Sequence, residues 1–138
     1  MLVVFSFNHK GLEPNDALRA SCENALQDIG LRLLKGNGAY RNRGGQYNTE
    51  ISYCTKIKHL SQVNRIVELC RMFNQESILL LNNLADTHEA VTIATLHYLD
   101  GRTVDIGQWV EVPRNHALAD ENGFSEFNGK FYVVRGAA

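Results

Sequence analysis

The sequence has very little net charge, which limits what it can bind by electrostatics alone. Its 138 residues include 14 lysines and arginines against 15 aspartates and glutamates, so the formal charge is -1 at pH 7. Domains that hold nucleic acid through bulk electrostatics usually carry a large basic excess. The composition therefore argues against a nucleic-acid-binding protein.

The sequence also lacks the patterns of a disulfide framework, a metal site and a membrane segment. Its three cysteines, Cys22, Cys54 and Cys70, are odd in number and show no C-x-x-C spacing, so we expect reduced thiols in the core. The five histidines have no metal-ligand spacing. No apolar run reaches membrane-spanning length, and the amino terminus has no signal-peptide pattern. We expect a cytoplasmic protein with no metal, no cofactor and no membrane partner.

Hydrophobic patterning predicts a strand, a helix and a hairpin in the first part of the chain. Residues 2–7 are β-branched and aromatic with no helical period, as in a buried strand. From about Asn15, apolar residues recur every three or four positions, which predicts an amphipathic helix that Gly36 ends. Gly44 and Gly45 then lie between two extended segments, which is typical of a two-residue hairpin turn.

The remaining segments complete a fold prediction. Ser61 is a suitable N-cap for a second helix, and the apolar run 77–81 predicts a central strand. The resulting order is the ferredoxin-like βαββαβ pattern, so we expect one α+β sandwich domain over residues 1–138. A C-terminal β-hairpin, turning at Asn128–Gly129, extends it. Such a sheet has helices on one face only, and a homo-oligomer that packs sheet faces together would cover the other.

Two candidate functional residues, Tyr40 and Glu50, flank the predicted hairpin. Alternation puts Glu50 on the more polar face of its strand, which is a solvated face unless something covers it. Tyr40 is either a buried ring with a bonded hydroxyl or a group presented to a ligand. A two-residue turn pairs Tyr40 with Thr49 and directs it to the face opposite Glu50. Tyr40 and Glu50 can then line the same pocket only if the loop between their strands is longer than two residues, or if two subunits contribute to the pocket.

Several short motifs follow one another in an order and spacing that point to a family. They are the strand end at Ser6, GAYR at 38–41, Glu50 opening an alternating strand, NQESILLL at 74–81, THEA at 87–90, DG at 100–101 and GQWVEVP at 107–113. In these features the chain resembles the phage-encoded S-adenosylmethionine-degrading enzymes, once called hydrolases and now understood as lyases.

The resemblance implies a specific assembly and site. It implies a homotrimer of ferredoxin-like subunits, similar to the nitrogen-regulatory signalling proteins, with S-adenosylmethionine held between neighbouring subunits. It carries over Glu50 and Tyr40 as catalytic residues. It also makes the backbone near Ser6, Thr87 and His88 a contact of the adenine. The enzyme it implies acts in the cytoplasm of an infected bacterium, as a phage counter-defence against host methylation and restriction.

The reaction itself needs few catalytic groups. The methionine carboxylate of the substrate attacks its own γ-carbon and releases methylthioadenosine and homoserine lactone, so no proton has to move. Glu50 is then expected to anchor the ribose hydroxyls or the α-ammonium rather than the sulfonium. Three alternatives stay open: a hydrolase with Glu50 as general base, a non-catalytic trimeric sensor of adenine nucleotides, and a phage protein that binds a host enzyme.

Overall fold

The computed structural model describes residues 1–7, 16–41, 47–73, 75, 77–84 and 91–136, without the side chains of Tyr40, Arg41, Tyr47 and Leu84. Within these residues the elements are β1 Leu2–Ser6, α1 Asp16–Asp28, β2 Leu34–Arg41, β3 Tyr47–Lys56, α2 Leu60–Arg71, β4 Ser77–Leu84, β5 Val91–Tyr98, β6 Thr103–Val112, α3 Arg114–Leu118, β7 Phe124–Phe127 and β8 Lys130–Arg135. The strands form one closed barrel in the order β1-β3-β2-β7-β8-β6-β5-β4, and every neighbouring pair is antiparallel.

The predicted ferredoxin-like sandwich is wrong. The first six elements do follow the expected order, but β5 continues the sheet from β4, and the sheet closes where β7 pairs with β2. The closing register joins Asn37 to Glu126 and Gly38 to Ser125. The sheet face without helices is therefore the inside of a barrel rather than a surface left for another subunit. The predicted C-terminal hairpin is part of the barrel wall.

Two glycines explain why α1 ends earlier than predicted. Gly30 has a φ of 88°, a left-handed conformation that glycine adopts without steric cost, and the helix ends at Asp28. Gly36 lies instead inside β2, where a Cβ would be 2.0 Å from the carbonyl oxygen of Glu126 and 2.5 Å from the ring of Phe127. The sequence pattern predicted that Gly36 ends the helix, but Gly36 is instead the residue that lets β2 and β7 approach closely when the barrel closes.

The second helix also begins differently from the prediction. Its N-cap is His59, not Ser61. The Gln62 side-chain oxygen accepts hydrogen bonds from the backbone N–H groups of Lys58 at 2.8 Å and His59 at 3.1 Å. This satisfies donors that the first helical turn would otherwise leave without partners.

The core divides into a helix-side layer and a barrel interior. On β3, Ile51 and Tyr53 pack toward α1 and α2, while Cys54 packs into the interior. The Tyr53 side chain is 1% exposed, and its hydroxyl donates a 2.6 Å hydrogen bond to Glu23. Because neighbouring residues on a strand point to opposite faces, Glu50 and Ser52 belong with Cys54 on the interior face.

Two other local predictions are confirmed, the free cysteines and the turn of the C-terminal hairpin. All three cysteines are free, and burial raises the pKa of the Cys70 thiol to about 12. The β7–β8 hairpin turns at Asn128 and Gly129, whose φ angles of 54° and 76° are those of a type I′ turn. No helix in the described part of the chain is long and apolar enough to cross a membrane.

Candidate functional site

A cavity of about 390 Å³ lies at one end of the barrel interior and brings Ser6 and Glu50 together. Strand register explains the juxtaposition. Ser6 pairs with Ser52, Glu50 pairs with Gly38, and Gly38 pairs with Ser125, so four adjacent strands present these positions on one face. The cavity's polar lining residues are Ser6, Glu50, Ser52, Gln75, Ser77, Asn122 and Ser125.

The described lining of this cavity contains one acidic residue. Of the described residues that line it, Glu50 alone has an ionisable side chain. The rest of the wall combines hydroxyl and amide groups with apolar side chains such as Val4, Leu79 and Ile106. Such a site suits a ligand with a positive charge, several hydrogen-bonding groups and an apolar part.

The two buried serines beside Glu50 differ in their hydrogen bonding. Ser6 is 6% exposed, and its hydroxyl donates a 2.9 Å hydrogen bond to the backbone oxygen of Ile51. This bond fixes Ser6 against the strand that carries Glu50. Ser52 is 5% exposed, and none of the described residues is hydrogen-bonded to its hydroxyl. Ser52 is therefore available to a bound molecule.

Gly38 keeps the cavity open next to these side chains. A Cβ at this position would lie 3.2 Å from the Ser52 hydroxyl oxygen and 3.6 Å from Cγ of Glu50. Any larger side chain would press on both residues. The absence of a side chain at Gly38 thus sets the space beside Glu50.

The register also resolves the geometric conflict around Tyr40. Arg41 pairs with Tyr47, and Tyr40 pairs with Asn48, so the predicted pairing of Tyr40 with Thr49 is wrong. Position 40 then has the same alternation as Gly38, on the face of Glu50. The Tyr40 side chain lies outside the described residues, as do Thr87, His88, Gly44 and Gly45.

Sequence reasoning missed most of the wall around Glu50. Ser52 could have been found, since it is two residues from Glu50 and lies on the same predicted strand face. Ser125 and Asn122 could not, because only the pairing of β7 with β2 brings them to the site. Within the described ranges, no three His, Cys, Asp or Glu side chains are close enough together to hold a metal ion.

Comparison with known proteins identifies the family. A model described as the S-adenosylmethionine lyase family matches residues 8–135, which is most of the chain. No curated protein and no solved structure matches the chain. The protein thus belongs to the S-adenosylmethionine lyase family and is an enzyme that cleaves a carbon–sulfur bond, which confirms the resemblance noted in the sequence.

Proposed function

We propose that this S-adenosylmethionine lyase breaks the carbon–sulfur bond by an intramolecular substitution in the cavity lined by Glu50 and Ser6. The substrate carboxylate attacks the γ-carbon of the methionyl chain. A carbon–oxygen bond forms while the γ-carbon–sulfur bond breaks, and its electron pair stays on sulfur. The products are methylthioadenosine and homoserine lactone, and the enzyme supplies neither an acid nor a base.

The main support for this proposal is that the substrate is positively charged and the cavity is lined by an acidic residue. At neutral pH the substrate has a positive sulfonium, a positive α-ammonium and a negative carboxylate, so its net charge is positive. Glu50 is the single charged residue among the described lining residues of the cavity. Complementary charge favours capture and orientation of such a cation. The neighbouring Ser52 and Ser125 hydroxyls offer hydrogen bonds to the ribose and the amino-acid group.

The chemistry restricts where Glu50 acts. Sulfonium and carboxylate both lose their charge on the way to products, so a carboxylate against the sulfonium would stabilise the ground state more than the transition state. Glu50 therefore anchors the ribose hydroxyls or the α-ammonium. The apolar wall at Leu79 and Ile106 surrounds the reacting atoms. Replacing water there favours the step in which charge disappears.

Positioning supplies the rest of the acceleration. Folding the methionyl chain so that its carboxylate faces the γ-carbon makes a near-attack conformer, whose effective molarity can be very large. Tyr40 shapes the pocket from the face of Glu50, and Ser6, Thr87 and His88 hold the adenine. These assignments rest on the family resemblance. The resemblance also supports a homotrimer in which the open end of this cavity faces a neighbouring subunit, so that the substrate lies between subunits, and a role in phage counter-defence against host methylation and restriction.

The test is a product analysis of the purified protein with S-adenosylmethionine, resolved by mass spectrometry within minutes. We expect methylthioadenosine together with homoserine lactone. Homoserine from the first time point, without lactone, would instead make Glu50 the general base of a hydrolase. Unchanged S-adenosylmethionine would contradict catalysis at this site and favour a binding protein.

Glu50→Gln isolates the role of the carboxylate. Because misplaced substrate loses most of the benefit of orientation, we expect the variant to lose about a hundredfold in kcat/KM with its fold intact. Glu111→Gln is the matched control, since Glu111 is exposed and does not line the cavity. Sedimentation of both variants reports whether either change alters assembly. Full activity of Glu50→Gln would refute the assignment.

A further inference from the structure

A second and more apolar cavity, of about 460 Å³, lies in the barrel interior and is not used by the proposed reaction. It shares no lining residue with the Glu50 cavity. We call it the aromatic cavity, and its apolar wall consists of Leu34, Cys54, Leu81, Trp109, Phe127 and Tyr132. The rings of Trp109 and Tyr132 stack with centroids 5.1 Å apart. An eight-stranded barrel is wide enough inside to hold one small ligand.

The mouth of the aromatic cavity combines exposed apolar side chains with positive charge. Leu2 and Leu34 line it although each is 38% exposed. Arg32 and Lys56 line it too, and both are exposed. Neither cation forms an ion pair with a carboxylate of the described residues. The described lining includes no acidic side chain.

The interior of the aromatic cavity is poorly suited to charge. Burial raises the pKa of the Cys54 thiol to about 11, as expected where water is scarce. Glu111 is paired with Tyr132 in the β6–β8 register, but it does not line the cavity. A ligand that fits both regions therefore has an apolar body and one anionic end.

We propose that the aromatic cavity binds a small apolar carboxylate, such as a medium-chain fatty acid. The alkyl chain lies against the stacked rings of Trp109 and Tyr132 and against Leu81, and the carboxylate lies at the mouth beside Arg32 and Lys56. Ligand cavities of a few hundred Å³ typically have apolar and aromatic walls and a few polar groups that fix orientation. Here the two cations fix the orientation, because the other described lining residues offer no positive group. The proposal does not rest on the lyase reaction.

Dodecanoate, kept below its micelle concentration, is a suitable probe, and dodecanol is its neutral counterpart. Trp109 is the single tryptophan of the chain, so intrinsic fluorescence reports directly on the aromatic cavity. We expect a saturable fluorescence change with dodecanoate, and weaker binding of dodecanol. Higher salt should weaken the binding of dodecanoate, because it screens the exposed cations.

Variants that remove the positive charges at the mouth test whether these charges orient the bound dodecanoate. Exposed ion pairs contribute up to about 1 kcal/mol, so Arg32→Gln and Lys56→Gln should each weaken dodecanoate about fivefold and leave dodecanol unchanged. Lys58→Gln is the matched control, because Lys58 is also exposed and does not line the cavity. It should leave the binding of both probes unchanged.

Three results would overturn the proposal. One is the absence of a saturable signal, and another is equal affinity for dodecanoate and dodecanol. The third is a fluorescence that changes with protein concentration and not with dodecanoate. That last result would assign Leu2 and Leu34 to a contact between copies of this chain.

Discussion

Gly36 and Gly38 provide a matched pair of substitutions on one strand, because alanine meets very different neighbours at the two positions. At Gly36 the new Cβ would overlap the backbone oxygen of Glu126 at 2.0 Å. At Gly38 its nearest neighbour would be the Ser52 hydroxyl oxygen, at 3.2 Å. Backbone in a paired strand cannot move without breaking its ladder, whereas a serine hydroxyl can rotate.

The expected magnitudes follow from these distances. Gly36→Ala must displace β7 by more than 1 Å, since carbon and oxygen atoms do not approach much closer than about 3.2 Å. Overpacking costs about 1–3 kcal/mol, and each hydrogen bond lost from the β2–β7 ladder adds about 1 kcal/mol. We expect a loss of about 3 kcal/mol or more, which lowers the Tm by about 10 °C.

Gly38→Ala should behave in the opposite way. Alanine gains about 0.5–1 kcal/mol over glycine in a strand, which offsets most of the small overlap with Ser52. The free energy of unfolding should therefore stay within about 1 kcal/mol of the parent. Activity should fall, because the Ser52 hydroxyl must shift by a few tenths of an ångström and the added methyl group occupies space beside Glu50. A misplacement of about 1 Å can cost about a hundredfold in rate, so we expect a loss of about tenfold in kcat/KM.

Urea unfolding and methylthioadenosine release measure the two effects separately. Gly136→Ala is the control, because a Cβ there meets nothing within 4 Å. A Gly36→Ala protein as stable as the parent would refute the close β2–β7 packing. A folded Gly38→Ala protein with full activity would refute the Glu50 cavity as the place of reaction.

Two further predictions concern stability. Asn128→Ala should cost about 1 kcal/mol in urea unfolding without affecting activity, because Asn128 holds a φ of 54° that alanine adopts less readily; unchanged stability would argue against the type I′ turn. Burial raises the pKa of Cys70 from 9.0 to about 12, so its contribution is fully present below pH 9 and is lost as pH rises towards 12. Cys70→Ala should be less stable at pH 7 but should lose stability less steeply between pH 9 and 11, by up to about 1.4 kcal/mol per pH unit; parallel curves would contradict the raised pKa.

Local structure could be predicted from the sequence wherever one segment determines it. Alternation assigned Glu50 to a strand face distinct from that of Tyr53, and the Asn128–Gly129 turn is determined by two residues that tolerate positive φ. Barrel closure could not be predicted in this way. It depends on the pairing of β2 with β7, in which Ala39 pairs with Phe124, 85 positions later in the chain. No periodicity within either strand encodes that partner.

The site was predictable to the same extent as the fold. Glu50 lies on β3 and Ser6 lies on β1, and these two strands are paired. Both residues line the cavity. In the described register Tyr40 pairs with Asn48 and not with Thr49, so the Gly-Gly pair predicted the wrong strand face for position 40. The aromatic cavity had no sequence signal, because Trp109 and Phe127 meet only in the closed barrel.

The proposed chemistry accounts for the small number of catalytic motifs in the sequence. An intramolecular substitution without proton transfer needs a shaped, partly apolar space and an anchor for the substrate, not a triad or a metal cluster. The shape of this space depends on barrel closure, because Gly38 and Ser52 lie on the consecutive strands β2 and β3, whereas Ser125 comes from β7, far along the chain. A substitution that alters this space without touching Glu50 should therefore impair the enzyme, and Gly38→Ala is the smallest change that does so.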